Sequence, residues 1–594
     1  MTGPGAPRPP AAALADLPAT EDERRASGRA ARKRVSRAML GYWAEDDRGH
    51  DALETILAQS RLRVPGLVPL RHQRMAVSAW NYYRGAAAVM AADLASQPSS
   101  GLMVQLCGDA HILNFGLWAT PERNLSFDLR DFDETLPGPF EWDVKRFAAS
   151  VLVAARENRV KPARAAAAVS AGVEAYCRRI RRYAAMPELD IWYDSMHVDS
   201  LVEYFEPADR GRVLIHIERK RGRRTSRGAF AKLTTMAQGR PRITEDPPLR
   251  VTIGDAEQAD LVGHLFAGYR LTLSEDRRAL FDRFTEVDAV RQVVGVGSVG
   301  MRVYLVLFEG RSGADPLFLQ VKQAGPSVYE AHTRPGRHGN HGERVISGKR
   351  LIQSATDIFA GWGSLDGRDY YVRQFRDMKI IPTTELIAPR LTEFATACGG
   401  ALARAHARTG DPVAIDGYLG KGRNFTAAIS RFAQLYADQN ERDHAQLVGA
   451  IAAGAVESLP GLCPSGPARS AAPASRPGER GPYEDPQVPH ARTAAGPVDH
   501  PLDQGPFQDG QPNSAELPSG RVHADREVAA AGDDVAAALA VRQGGRGAHG
   551  DIQQLLGRQA RGRDIGLGCG QRKQLGQITD DVVLRIAQAR REDF

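Results

Sequence analysis

The stretch Gly295-Val296-Gly297-Ser298-Val299-Gly300 narrows the possible folds most, because of the residues on either side of it. A G-x-G-x-x-G spacing that opens a helix would hold a pyrophosphate at the helix N-terminus, as dinucleotide-binding turns do. Here VRQVV precedes the glycines and MRVYLVLFE follows them, and alternating β-branched residues predict strands on both sides. LFLQVKQA, which carries Lys322, reads as the next strand. Strand, glycine turn, strand and a lysine on a neighbouring strand is an arrangement in which a hairpin covers phosphates and the lysine binds them. The alternative is an ordinary glycine-rich hairpin with a surface lysine. An acid that holds Lys322 is expected from the segment that follows; Glu330 is preferred to Glu343 because it lies nearer the strand.

A second constellation lies far upstream, in GDAHILNFG and FDLRDFDE. Asp109 and Asn114 share a loop after a short buried strand. That spacing lets a carboxylate face a substrate hydroxyl while an amide oxygen faces a metal. Asp131 and Asp133, two apart on an extended segment, project to one side and offer oxygens to a hard cation. The competing reading is a set of turn and capping carboxylates. A metal-dependent hydrolase built on Asp109, His111, Asp131 and Asp133 is a further alternative, but it leaves Gly295 to Lys322 unexplained.

The rest of the chain sets the frame. Residues 1–33, rich in Pro, Ala, Arg and Glu, read as a flexible arm. Helical spacing dominates from Met39 to about Leu94, and PFEWDVKRFAASVLVAARE predicts a helix with Val144, Phe147, Ala148, Val151 and Ala155 on one face. ERKRGRRTSRG reads as a solvated basic loop, with contact to an anionic substrate as the alternative. Helical patterning returns over 261–286, in ERVISGKRLIQSATDIF, and in LTEFATACGGALARAHART and the long segment after it; DYYVRQFRDMK is strand-like. Between 461 and 518 there are 12 prolines, and such a segment buries too little apolar surface to offset its ordering entropy, so 458–594 is expected to be a disordered tail.

Hydrophobic residues at 42% and charged residues at 25% suit a globular core, and a net charge of +7 spread along 594 residues argues against a dedicated nucleic-acid binder. The five cysteines are scattered without a C-x-x-C pair, which fits a reducing compartment. No apolar run approaches the ~18 residues of a membrane span, so a cytoplasmic protein without a membrane partner is expected.

GDAHILN resembles the catalytic loop of aminoglycoside and choline phosphotransferases, usually H-G-D-x-H-x-x-N, matching at Gly108, Asp109, His111 and Asn114 with Cys107 in place of the first histidine. DFD at 131–133 resembles their metal-binding strand, and PFEWDV the following P-x-x-x-D-L. The resemblance implies that Asp143 braces the loop backbone. ALARAHA, at 401–407, resembles the helix that in those enzymes runs directly into the catalytic loop. The stretch from about 34 to 457 is also similar to a bacterial family known as domain of unknown function 2252, through YYRGAA, CGDAHILNFG, DFDETLPGPFEWDVKR, VVGVGSVG, YYVRQFRDMK and ARAHARTGD.

Together these imply an α+β, two-lobed, protein-kinase-like fold that is circularly permuted, because the catalytic loop precedes the glycine-rich lobe. Residues 34–260 would form a mainly helical catalytic-loop lobe, 261–385 the glycine-loop sheet lobe, and 386–457 helices completing the large lobe. ATP and Mg are the implied cofactors, and a hydroxyl-bearing small molecule or protein the implied acceptor. Asp109 would be the base, with His111 ordering the loop. Asn114 and Asp131 would hold the metal with Asp133 assisting, and Gly295, Gly297, Gly300, Lys322 and Glu330 would form the nucleotide site. A non-catalytic nucleotide-binding regulator and a nucleotidyl transferase on the same fold remain alternatives.

Overall fold

The computed structural model describes residues 20–459 except 224, 313–314, 334–335 and 377. The expected tail, apart from its first two residues, and the first part of the expected arm lie outside the described residues. The remainder of that arm differs from expectation, since Glu21–Arg34 is a helix. Thr20 and Glu23 cap it reciprocally, and Ala31 is buried. A Cβ on Gly28 would sit 1.9 Å from the Ala414 carbonyl oxygen, so glycine permits the close approach to the helix Pro412–Leu419. Capping and small-residue packing order a segment whose overall composition points the other way.

The fold is α+β. Its main sheet has six antiparallel strands in the order Gly361–Leu365, Arg368–Gln374, Pro316–Ala324, Val303–Glu309, Thr285–Gln292 and Arg250–Thr252. The alternation that predicts these strands also divides their side chains between two faces. Leu319 and Val321 face a cluster containing Phe266, Tyr269 and Phe281. Phe318, Val290 and Leu305 pack on the other side with Ala229 and Leu233. Lys322 lies opposite Val303 on one neighbouring strand and Tyr371 on the other.

A larger core surrounds the helix Phe140–Glu157, which is buried over most of its length. Helices Pro162–Tyr183, Leu391–Ala407 and Arg423–Ala452 contribute to the same cluster. A Cβ on Gly399 would lie 2.0 Å from the Gly172 carbonyl oxygen, so two glycines set the close crossing of the first two of these helices. Two short hairpin-like pairs sit on this body: Met103–Leu106 with Leu136–Pro139, and Phe115–Ala119 with Leu125–Leu129. Between them run the two acidic segments.

The basic stretch expected as a solvated loop is helical up to Arg223, within Pro207–Arg223, and Thr225 caps a further helix, Ser226–Leu233. Ile217 is buried beneath the first of these helices, and that apolar anchor outweighs the surrounding run of charge. No described helix is long and apolar enough to cross a membrane.

Candidate active site

The strand Met103–Leu106 delivers the chain into the loop Cys107–Asn114, whose backbone is braced from below. Asp143, in the first turn of its helix, accepts from Cys107 N at 2.8 Å and Gly108 N at 3.1 Å, and His406 Nε2 lies 3.3 Å from the same carboxylate. Asp143 thus braces the loop, and the histidine of ALARAHA meets it there. Gly108 has a positive φ of 85°, and a Cβ there would fall 2.2 Å from the Glu134 carbonyl oxygen, so the turn requires glycine. Asn114 donates its amide to the Asp109 carbonyl and closes the loop on itself.

Asp109 takes a hydrogen bond of 2.8 Å from Arg146 Nε, while its side chain stays 20% exposed and reachable from solvent. Burial pushes its carboxyl up from the usual aspartate range, against the pull of Arg146. His111 Nε2 stands 3.8 Å from the same carboxylate. Burial, reinforced by Arg84, Arg146 and Arg130, drives the imidazole well below its ordinary value, so His111 is neutral at neutral pH. Its Nδ1 is buried without a protein partner.

The two distant constellations meet at the next segment. Lys322 forms an ion pair with Asp133, across 189 residues of chain, and Tyr371 donates to the other oxygen of that carboxylate at 2.8 Å. Asp131 is differently placed. Burial pushes its carboxyl up, but Lys322, Arg373, Arg130 and Lys379 outweigh that and hold it below the usual range, so it is ionised. Its Oδ1 is nevertheless buried with no protein hydrogen-bond partner.

One expectation changes with this geometry. The acid on Lys322 is Asp133, not Glu330 or Glu343. Glu330 instead accepts from Ser327 N at 3.1 Å and lies 3.5 Å from Arg344 Nε, while Glu343 lies 3.5 Å from His338. Sequence distance misled here, because the chain after the Lys322 strand turns back onto the acidic segment: Ser327 Oγ donates to the Glu134 carbonyl and Val328 N to the Glu134 carboxylate, each at 2.8 Å. Asp133 has both oxygens engaged, one by Lys322 and one by Tyr371. Among the described residues no group of three or more His, Cys, Asp and Glu is gathered to hold a metal.

Gly295 and Gly300 adopt positive φ of 66° and 88°, which the tight turn between strands demands. The loop lies against the early helices: Arg63 donates to the Gly297 carbonyl at 2.8 Å, Val64 N to that of Gly300 at 2.8 Å, and Arg74 to that of Gly295 at 2.5 Å. A Cβ on Gly297 would lie 3.1 Å from the Arg84 carbonyl, and the Arg84 side chain acts electrostatically on Asp109 and Asp131. The glycine turn and the acids therefore share one neighbour.

Several members of this site were given no role by the sequence: Glu134, Arg146 and Tyr371, which lie inside quoted motifs, and Arg344, which lies outside them. Arg344 is buried and donates to the carbonyls of Asp133 and Thr135 at 2.8 Å and 2.7 Å, holding the acidic segment in place. Arg146 and Arg344 lie on helices, and only a buried cation beside an unpaired acid would have hinted at them.

Fold and site define an α+β protein with a buried acid–lysine cluster where an antiparallel sheet meets a helical body. The chain belongs to the family described as an uncharacterized protein conserved in bacteria, domain of unknown function 2252, whose model matches residues 63–450. No curated protein and no solved structure matches it.

Proposed function

We propose that the protein is an ATP- and Mg-dependent phosphotransferase acting on a hydroxyl acceptor, on a two-lobed, protein-kinase-like fold that is circularly permuted. The observation that carries this reading is the meeting of Lys322 with the 131–133 acids beside the Asp109 loop. The permutation is supported at its expected seam, where Gln105 N, on the strand entering the loop, donates to Thr409 Oγ1 just past the ALARAHA helix. Chain ends that lie close together tolerate such a cut.

The residues present fit the implied metal. Asp131 brings an ionised carboxylate with an orphaned buried oxygen, and Asn114 an amide oxygen; a hard cation takes oxygen ligands of this kind. Such an ion, when bound, neutralises phosphate charge. Lys322 would leave Asp133 to bind phosphate oxygens, with Tyr371 keeping the carboxylate oriented. Asp109, held by Arg146 and raised by burial, would accept the proton of the acceptor hydroxyl. Neutral His111 would keep the loop in register. Catalysis of this kind is positioning and charge neutralisation.

ATP labelled separately at the α and γ positions, incubated with a panel of hydroxylated acceptors, tests the reading. Transfer of the γ label alone is expected. Transfer of the α label would mean a nucleotidyl transferase, and nucleotide binding without transfer of either label would mean a regulator.

A further inference from the structure

A small cavity open to solvent is lined by Arg130, Lys349, Arg373 and Lys379, with Trp118, Gln353 and Asp357 among its other walls. Neither Lys322 nor Asp109 lines it. Its edge adjoins the candidate active site, since Arg130 precedes Asp131 and the Arg373 guanidinium lies 5.8 Å from the ring of Tyr371. We propose that this cavity is a binding site for a multiply charged oxyanion, phosphate or carboxylate, that also carries a hydrogen-bond donor. This goes beyond the phosphotransferase reading and does not rest on it.

Three observations converge. The first is charge: Arg130, Arg373 and Lys349, with Lys379, whose ammonium burial and these neighbouring cations push well below its ordinary value, surround a space whose one lining carboxylate, Asp357, is engaged by the backbone N–H groups of Phe359 and Gln374. Asp131 lies near three of these cations, but it also answers Lys322. Positive charge therefore exceeds negative charge around the cavity, and buried like charges repel unless an anion joins them. The second is an orphaned donor. Trp118 is 7% exposed, and its indole Nε1 is buried without a protein acceptor. The third is an orphaned acceptor. Gln353 donates its amide to the Leu129 carbonyl at 2.6 Å, but its Oε1 is buried without a donor. Buried polar groups are nearly always satisfied, so a wall with cations, a free indole N–H and a free amide oxygen describes the complement of its ligand. A partly protonated phosphate has both the charge and the O–H.

Arg130 and Arg373 are braced on the Leu113 carbonyl at 3.0 Å and on Gln320 Oε1 at 2.9 Å, and the variants are placed at the partly exposed Lys349 and Lys379. Calorimetric titration of the full chain with inorganic pyrophosphate and with citrate, both without magnesium, tests the proposal and separates phosphate from carboxylate. At least one of the two is expected to bind the parent, and the K349M/K379M double variant to weaken that binding tenfold or more. Trp118→Phe, which keeps the ring but removes the N–H, is expected to weaken it by about two- to tenfold. The proposal is overturned if neither anion binds the parent, or if the double variant binds as tightly as the parent. Loss of Mg–ATP binding with retained pyrophosphate binding would count against the phosphotransferase reading and leave this site standing.

Discussion

Two buried charge clusters in this molecule look alike by composition and differ in what they leave undone. In the first, Arg48 bonds both oxygens of Asp93 at 2.8 Å and both of Asp443 at 2.8 and 3.0 Å. His50 and Tyr436 complete Asp93, and Gln439 completes Asp443. Every carboxylate oxygen has a partner, and the network ties an early loop to the helix Arg423–Ala452. In the second cluster Lys322, Asp133 and Tyr371 are paired, yet Asp131 Oδ1 and His111 Nδ1 beside them have no protein partner. A closed network specifies a fold, whereas an open one holds groups ready for something that is not protein. The acids of the first cluster are also the more buried, with Asp93 at 0% and Asp443 at 6% exposure against 20% for Asp109 and 30% for Asp133, so satisfaction and access together separate a brace from a site.

The sharpest way to break this distinction is to remove charge from each cluster in turn. Asp131→Asn and Asp109→Asn are expected to lower γ-label transfer per folded molecule by about 10²- to 10⁴-fold, measured well below the melting temperature; unchanged turnover would strip the open cluster of its role. Arg48→Met should act oppositely. It leaves two buried carboxylates without their cation and should cost about 3–5 kcal/mol of unfolding free energy by denaturant titration, while the folded fraction keeps its turnover. A smaller effect belongs to Glu134, which joins the open cluster to the segment after Lys322. Burial raises its carboxyl to about 7. A raised acid stabilises the fold while protonated, so that contribution is present below its unfolded value and is lost as pH rises through about 7. Relative to Glu134→Gln, the parent should therefore lose stability between pH 5 and pH 8 in parallel denaturant curves; identical curves at both values would contradict the burial of a titrating group there.

The sheet was legible because alternation in VRQVV, MRVYLVLFE and LFLQVKQA is a local property, and all three segments are strands. Asp143 was legible through its resemblance to a looped motif, and its bonds to Cys107 and Gly108 are those of a brace. Partners set by distant chain were not legible. The carboxylate on Lys322 comes from 189 residues away, and proximity in sequence favoured Glu330, which tertiary structure assigns to Arg344. The helices Glu21–Arg34 and Pro207–Arg223 were hidden for a related reason: a cap, two small residues or one buried isoleucine decides them, and composition averages those away.

An early acidic loop and a later lysine strand are proposed to serve one triphosphate, and calorimetric titration of Mg–ATP into the parent and Lys322→Ala tests that most directly. The parent should bind, and the variant should bind about 10- to 100-fold more weakly, the scale of one charge-assisted hydrogen bond at a buried site. Equal affinity in the two proteins would contradict it.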